Sequence, residues 1–338
     1  MICPLVSSVD EALQEQAAID LIPADGRAGV AALARRLPDV MHGFGFELRL
    51  QPDETAVDFY TSVSASGGRE AWARAVTDAE ASPVTTLARR WAEPSSPLHD
   101  RVELVFLEFD APFAVGQPPS VFARLDSAIG DGGAQWMAAA PAIDELAMAL
   151  KGAHAGAATR TNLEAAFRAL PAGGSVVDVA AMLPRGQVAV RLFLTMPKNS
   201  LPDYLTPLGW NQHEARRALA AQLESLFAPC SYLSLQIDVG ESEVIGPRIG
   251  VELSPSPGAE GDTWSAVGDR LRRAGLGTAD RLATVGRWPG VGAPRAIGGR
   301  WPSHLVRQIS HVKLVLTPER PIEAKVYLWA TRRFAQLG

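Results

Sequence analysis

Acidic, basic and aromatic residues recur at every second position in several short stretches of the sequence. This spacing can bring them to one surface. The acidic candidates for a general base are Glu47, Glu108 and Glu252. The candidate substrate-binding residues are Arg49, Arg191, Arg248, Lys313, Lys325, Tyr327 and Trp329. Converging guanidinium and ammonium groups can bind an anion through charge-assisted hydrogen bonds, and neighbouring aromatic rings can stabilise a cation.

The alternation places these residues on one face of predicted β-strands, because successive side chains of a strand point to opposite sides. In the first stretch, Glu47 and Arg49 lie between Phe46, Leu48 and Leu50. The assignment of a polar and an apolar face is ambiguous at 102–110, because both faces of this predicted strand carry an acidic residue. If helices cover the apolar faces, the polar faces line a lumen. An open antiparallel sheet with helices on one face would instead expose the polar face to water. The aromatic residues among the charges favour the lumen.

Helical and strand-like segments alternate along the chain. The predicted strand pairs are 44–50 with 56–64, 102–110 with 120–125, 176–183 with 187–196, 232–239 with 248–253, and 310–316 with 322–329. Helical periodicity precedes each pair, and capping-box patterns predict helix starts at Ser8 and Thr161. Because two strands precede each return to helix, neighbouring strands should be antiparallel. The sequence therefore predicts an α+β fold of about five αα-ββ units, in a single domain spanning residues 1–338.

This order of elements resembles the ABBA-type aromatic prenyltransferase fold, an antiparallel β-barrel surrounded by helices. Lys325-Val326-Tyr327 is similar to the Lys-x-Tyr found on barrel strands of indole prenyltransferases. The resemblance implies an enzyme of natural-product or peptide biosynthesis that transfers an allylic prenyl group from a diphosphate to an aromatic or peptide acceptor. It also implies that the lumen cations hold the diphosphate, that the aromatic rings shield the allylic cation, and that a carboxylate accepts the proton.

The chain departs from that family in having one Lys-x-Tyr and only 4 tyrosines, where related enzymes have several such motifs. A shield over the cation would then consist largely of Phe and Trp. The same fold could instead serve as a non-catalytic accessory protein that binds a peptide or metabolite, an alternative that the sequence leaves open.

The last predicted hairpin places Lys313 and Lys325 side by side on one face. Burying two unpaired ammonium groups would cost several kcal/mol each, so in a closed lumen they need an anion. Glu252 is the expected partner in the empty protein, and a ligand diphosphate in the occupied one. On this basis, Lys325→Ala is expected to remove anion binding while leaving the fold intact.

The amino-acid composition restricts the classes of partner that this chain can bind. With 32 basic and 37 acidic residues and a net charge of −5, the chain lacks the basic surface that nucleic-acid binding needs.

The short apolar start is followed by acidic residues, unlike a signal peptide, and no run is long enough to span a membrane, so we expect a cytoplasmic protein. The Ala, Gly, Pro and Arg content suggests a bacterial origin. Two cysteines and six histidines without ligand spacing predict no metal site, and no motif implies a cofactor. The oligomeric state stays open.

Overall fold

The computed structural model describes residues 4–51, 54–76, 82–126, 131–186, 189–210, 212–227, 230–253, 262–296, 302–318 and 320–334. The described helices are α1 (Leu5–Leu13), α2 (Gln16–Leu21), α3 (Ala24–Ala34), α4 (Arg69–Ala75), α5 (Pro83–Ala92), α6 (Pro97–Arg101), α7 (Gly132–Lys151), α8 (Ala157–Arg168), α9 (Leu201–Leu205), α10 (His213–Ser225), α11 (Asp262–Arg273) and α12 (Ala279–Gly286). Short 3₁₀ turns occupy Leu183–Arg185 and Lys198–Ser200.

The strands of the same described ranges form one antiparallel sheet. They are β1 (Gly43–Arg49), β2 (Val57–Ser64), β3 (Val102–Phe109), β4 (Ser120–Leu125), β5 (Ser175–Ala181), β6 (Val190–Pro197), β7 (Tyr232–Val239), β8 (Ile249–Leu253), β9 (Gly290–Val291), β10 (Arg295–Ala296), β11 (Pro302–Leu316) and β12 (Glu323–Phe334).

The sheet closes into a barrel. Strands β1 to β8 pair in sequence order, β8 pairs with β11, β11 with β12, and β12 returns to β1. The two-residue strands β9 and β10 pair with the first half of β11. The α+β antiparallel barrel predicted from the sequence is confirmed, and the open-sheet alternative is wrong, because β12 hydrogen-bonds to β1 along its length and joins the two edges.

The barrel has two distinct ends because each strand pair is joined by a hairpin and successive pairs by helices. The hairpins β1–β2, β3–β4, β5–β6, β7–β8 and β11–β12 turn at one end, called here the hairpin end. The helical connections leave from the other, called here the helix end. The apolar face of each strand packs outward against helices: Phe46, Leu48 and Leu50 are each 0% exposed. The predicted assignment of faces is therefore confirmed for β1.

The ambiguous stretch at 102–110 is resolved by the structure. Glu108 faces the lumen together with Leu104 and Phe106, whereas Glu103, at a register shift between Val102 and Leu104, is exposed. The strand therefore carries an acidic residue on each face, and only Glu108 is buried.

Some predicted boundaries are wrong. Ser8 and Thr161 do not begin helices: α1 begins at Leu5 and α8 at Ala157. Both hydroxyl groups donate to the carbonyl four residues back, at 2.8 Å and 3.1 Å, which a serine or threonine inside a helix can do. Strand β11 begins at Pro302, well before the predicted residue 310, and its residues 303–309 extend the pairing with β12. No described helix has the length and apolarity to cross a membrane.

A buried ion pair joins the first helix to the last strand. Arg332 of β12 donates to the carboxylate of Glu11 and, at 2.8 Å, to the Ser8 hydroxyl. The side chains of Arg332 and Glu11 are 1% and 5% exposed. Because this contact connects residues near opposite ends of the sequence, we propose that the chain unfolds as one domain.

Glu11→Ala should lower the free energy of unfolding by about 3–5 kcal/mol, because it leaves the Arg332 guanidinium buried without its carboxylate. Urea unfolding should still show a single transition. Asp10→Ala, on the same helix, is the matched control: its 3.8 Å pair with Arg35 is exposed, so the loss should stay below about 1 kcal/mol. Equal losses in the two variants would contradict the role given to Glu11.

A charged and aromatic lumen as the candidate functional site

The barrel contains a cavity of about 440 Å³. All the candidate residues from the sequence line it except Arg49. Arg49 lies at the hairpin end, where its guanidinium pairs with Asp58 at 3.1 Å and Glu323 at 3.4 Å. The structure thus brings together the three candidate carboxylates and most of the candidate cations in one cavity.

An aromatic wall, formed by Tyr60, Phe106, His311, Tyr327 and Trp329, lines one side of the lumen. Its rings follow one another in contact. Tyr60 stacks on Trp329 with centroids 5.6 Å apart, and Trp329 meets Phe106 at 6.4 Å. Tyr327 lies 5.9 Å from Tyr60 and stacks on His311 at 4.1 Å. A flat ligand could pack against this continuous surface.

Two glycines of β1 make room for the aromatic wall. Gly45 is the cross-strand partner of both Tyr60 and Trp329, and a Cβ built at Gly45 would lie 2.3 Å from Cζ of Tyr60. A Cβ at Gly43 would lie 2.3 Å from Cζ2 of Trp329. The two rings therefore lie across the bare backbone of β1, and the Tyr60 hydroxyl donates to the Leu328 carbonyl at 2.9 Å.

Glu47 lies at the centre of a buried network. The Lys325 ammonium donates to its carboxylate at 2.5 Å, and the Tyr327 hydroxyl donates to the other oxygen. Burial opposes ionisation, but the positive charges of Lys325 and Lys313 hold the pKa of Glu47 well below its ordinary value. Lys325 therefore contacts Glu47, and the sequence-based expectation of Glu252 as its partner is wrong. Glu252 is instead the register partner of Lys313.

The other carboxylates differ from one another. Burial raises the pKa of Glu252, but His311 and Lys313 hold it below its ordinary value, whereas Glu108 and Asp58 have raised pKa values. Burial and the charge of Glu47 raise the pKa of Glu108 to about 7, although Lys313 and Arg185 act against the increase. Arg185 lies 3.5 Å from Glu108. The same two causes raise the pKa of Asp58 to about 6. Because a general base works best with a pKa near the working pH, Glu108 is the strongest candidate among the three carboxylates.

Lys313 joins the two sides of the lumen. Its ammonium donates to the Gln236 side chain, whose amide in turn donates to Glu252. Burial lowers the pKa of Lys313 to about 8, despite the carboxylates of Glu252 and Glu47 nearby. A bound anion would favour the charged form of this amine.

Three guanidinium groups gather at the hairpin end of the lumen. Arg185 makes a bidentate pair with Asp110 at 3.0 and 3.2 Å, and Arg191 makes one with Asp238 at 2.7 and 2.9 Å. Arg248 pairs with no carboxylate among the described residues. Burial and the charges of Arg191 and Arg185 lower its pKa. Arg248 is therefore a lumen cation that an incoming anion could bind without displacing a protein carboxylate.

Several lumen residues were not predicted. Arg185 belongs to a segment interpreted as a turn, yet it reaches back over the strand ends. Arg124 and Asp178 pair across β4 and β5 at 3.0 Å near the helix end. Ser310 also lines the cavity. Two signals in the sequence could have identified them. Arg185 lies in a hairpin next to inward-facing acidic residues, and Arg124 is two residues from Phe122, on the same strand face. Among residues with described positions, no group of three His, Cys, Asp or Glu side chains is arranged to hold a metal ion.

Lys325→Ala should destabilise the fold by about 3–5 kcal/mol, because Glu47 then remains buried and charged without its closest cation. This replaces the expectation of an intact fold. Adding Glu47→Gln should recover more than half of the loss, since the amide carbonyl can still accept from Tyr327. Urea unfolding of both variants at pH 7 measures the difference, and equal stability of the single and double variants would contradict the network.

Comparisons with known proteins agree on the architecture only. No protein-family model matches the sequence, and no curated protein matches it. The 5-dimethylallyl tryptophan synthase from Streptomyces coelicolor, solved in complex with DMASPP and Trp, is 14% identical with a TM-score of 0.51 over 97% of this chain and 95% of that chain. AnaPT from Neosartorya fischeri is 10% identical with a TM-score of 0.50 over 94% and 83%. The chain therefore has the ABBA aromatic prenyltransferase fold.

Proposed function

We propose that the protein is an enzyme of natural-product or peptide biosynthesis that transfers an allylic prenyl group from a diphosphate to an aromatic acceptor within the lumen. The observation that carries the proposal is that cationic and aromatic groups occupy different parts of the lumen. Guanidinium groups gather at the hairpin end, the aromatic wall faces the rest of the cavity, and Glu108 lies next to both. The complex of the similar Streptomyces synthase with DMASPP and Trp supports a diphosphate donor and an aromatic acceptor here.

In this proposal, the diphosphate binds Arg248 and Lys313, with Arg191 and Arg185 close by. Charge-assisted hydrogen bonds to these groups stabilise the negative charge that develops as the bond between the allylic carbon and the diphosphate oxygen breaks. The faces of Tyr60, Tyr327 and Trp329 stabilise the allylic cation and exclude water from it. The acceptor ring attacks this carbon, and Glu108 takes the proton that the ring loses.

A second candidate function is binding without catalysis, and one observation favours it. Most lumen cations are already paired with carboxylates: Lys325 with Glu47, Arg185 with Asp110, and Arg191 with Asp238. A lumen whose charges are largely balanced without a ligand also suits a weakly charged metabolite. Mass spectrometry after incubation with dimethylallyl diphosphate and a panel of aromatic acceptors separates the two candidates. A prenylated product supports transfer, whereas ligand binding without product supports the accessory role.

Arg248→Ala should weaken binding of dimethylallyl thiodiphosphate by about tenfold or more, because a hydrogen bond to a charged group contributes about 1.5–3 kcal/mol. Calorimetric titration measures the dissociation constant, and geranyl and farnesyl thiodiphosphates report the preferred chain length. Arg35→Ala removes a cation whose side chain is 59% exposed and should leave binding unchanged. If the wild-type protein binds none of the three thiodiphosphates, the transferase proposal fails.

Ionisation of Glu108 should make stability and catalytic rate depend on pH in opposite directions. Its pKa in the folded protein, about 7, lies above the ordinary 4.5, so the native state binds more protons between these values and stability falls as pH rises through that window. The kcat/KM for transfer should instead rise with pH around 7, as the base ionises. Glu108→Gln should make the first profile less steep, leaving the part that Asp58 contributes, and should reduce transfer by about 100-fold or more. Urea unfolding from pH 4.5 to 8 tests the stability effect without assuming catalysis.

A further inference from the structure

A β-bulge in β11 brings two adjacent side chains to the lumen. In the pairing with β12, Ile309 is opposite Leu328 and His311 is opposite Tyr327, so Ser310 is an extra residue without a partner. Neighbouring residues of a regular strand point to opposite faces, but a bulge changes the direction of the side chain at the inserted residue. Ser310 and His311 consequently both line the cavity, together with Glu252 of β8.

These three residues form a chain of polar contacts. The Ser310 hydroxyl lies 3.0 Å from Nδ1 of His311, and Nε2 of His311 lies 3.5 Å from a Glu252 oxygen. An ionised carboxylate can only accept a hydrogen bond, so Nε2 carries the hydrogen and Nδ1 is left to accept from Ser310. Gln236 donates to Glu252, and the imidazole stacks on Tyr327 at 4.1 Å. The ring of His311 is therefore held in one orientation.

Charged and aromatic groups from three other elements surround the His311 ring. Glu252 of β8 and, more distantly, Asp178 of β5 act on it with negative charge. Tyr327 of β12 covers its face, and Lys313 lies two residues further along β11. The Glu252 carboxylate is paired directly with the imidazole, so it stabilises the imidazolium that forms when Nδ1 is protonated.

We propose that Ser310, His311 and Glu252 form a proton relay that ionises a weakly acidic hydroxyl group on an aromatic ring held at the helix end of the lumen. The ligand O–H bond breaks and its proton passes to the Ser310 oxygen. The Ser310 proton passes at the same time to Nδ1 of His311, and the resulting imidazolium remains paired with Glu252. Two protons each cross one hydrogen bond, the net result is the transfer of one proton from the ligand to the imidazole, and the step needs no other reactant.

The chemical class of the ligand follows from the groups around the relay. The aromatic wall supplies a surface for a flat ring, and the relay ends in a hydroxyl that can accept from a ring substituent. In the relay, the carboxylate of Glu252 lies beside the imidazole that gains the proton, and the cations of the lumen favour the ionised ring hydroxyl that loses it, so both products meet opposite charge. The consequence for transfer rests on the proposed function: an ionised hydroxyl raises the electron density of the ring, and Glu108 then removes the ring proton.

The test uses 4-nitrophenol, whose ionised and neutral forms have different visible spectra, with the full chain and no prenyl donor. At pH 6.5 the ratio of ionised to neutral probe should be about tenfold higher on the protein than in free solution, because the imidazolium formed by the relay places an opposite charge near the ionised probe, and such a charge shifts a pKa by about one unit or more. Ser310→Ala and His311→Gln should each return the ratio to within about twofold of the free value.

His304→Gln is the matched control. His304 lies on the same strand, but its Nδ1 contacts the Gly292 carbonyl at 3.0 Å outside the cavity lining, so the variant should behave as the wild type. An unchanged ratio in both Ser310→Ala and His311→Gln, or no binding of 4-nitrophenol to the wild type, would overturn the relay. Circular dichroism and urea unfolding confirm that each variant is folded. Because the assay contains no donor, a failure of the proposed transfer reaction would appear in the thiodiphosphate titration and the product analysis, and not in this measurement.

Discussion

The hydrogen-bonded pairing of β1 with β12 converts a sheet into a barrel, and the chemistry of the lumen depends on this closure. Residues from opposite ends of the chain meet along this seam: Glu47 lies opposite Tyr327, and Arg49 opposite Lys325. Without it, the polar faces of all strands would contact water, where ion pairs contribute little. With it, the same side chains lie in a medium of lower polarity, where each charge needs a partner and each pairing affects its neighbours.

Charge compensation is the main consequence of closure. The lumen places carboxylates beside nearly every cation, and the coupling among Glu47, Asp58 and Glu108 separates one firmly ionised group from two that titrate near neutral pH. A ligand with negative charge has to compete with these carboxylates for the cations. Arg248 differs from the other arginines of the lumen because an anion can reach it without such competition. The electrostatics thus distinguish residues that the strand pattern alone treats as equivalent.

The period-two alternation predicted the strands, their faces and most of the lumen, because in a closed barrel one apolar face is enough to fix the direction of every second side chain. Glu47, Glu108 and Lys325 were found in this way. The ion-pair partners of these residues were harder to predict, because Lys325 contacts Glu47 across a seam that joins positions almost 280 residues apart. Ser310 was missed because a bulge breaks the alternation, and Arg185 because it reaches the lumen from a turn. Irregular backbone is the part of a barrel that a periodic pattern cannot predict.

The absent side chains of Gly43 and Gly45 determine the shape of the lumen as much as the residues that line it. Tyr60 and Trp329 occupy the space over β1 that side chains would otherwise fill, so the rings lie flat against the barrel wall and leave the interior open. A larger residue at Gly43 would push the Trp329 ring toward the axis and narrow the cavity, and one at Gly45 would displace the Tyr60 ring and also meet the Leu328 carbonyl of β12. The width available to a ligand is thus set by two positions that contribute no atom to its binding surface. Changes in ligand size among proteins of this architecture can therefore arise on β1, behind the rings, while every group in contact with the ligand stays the same.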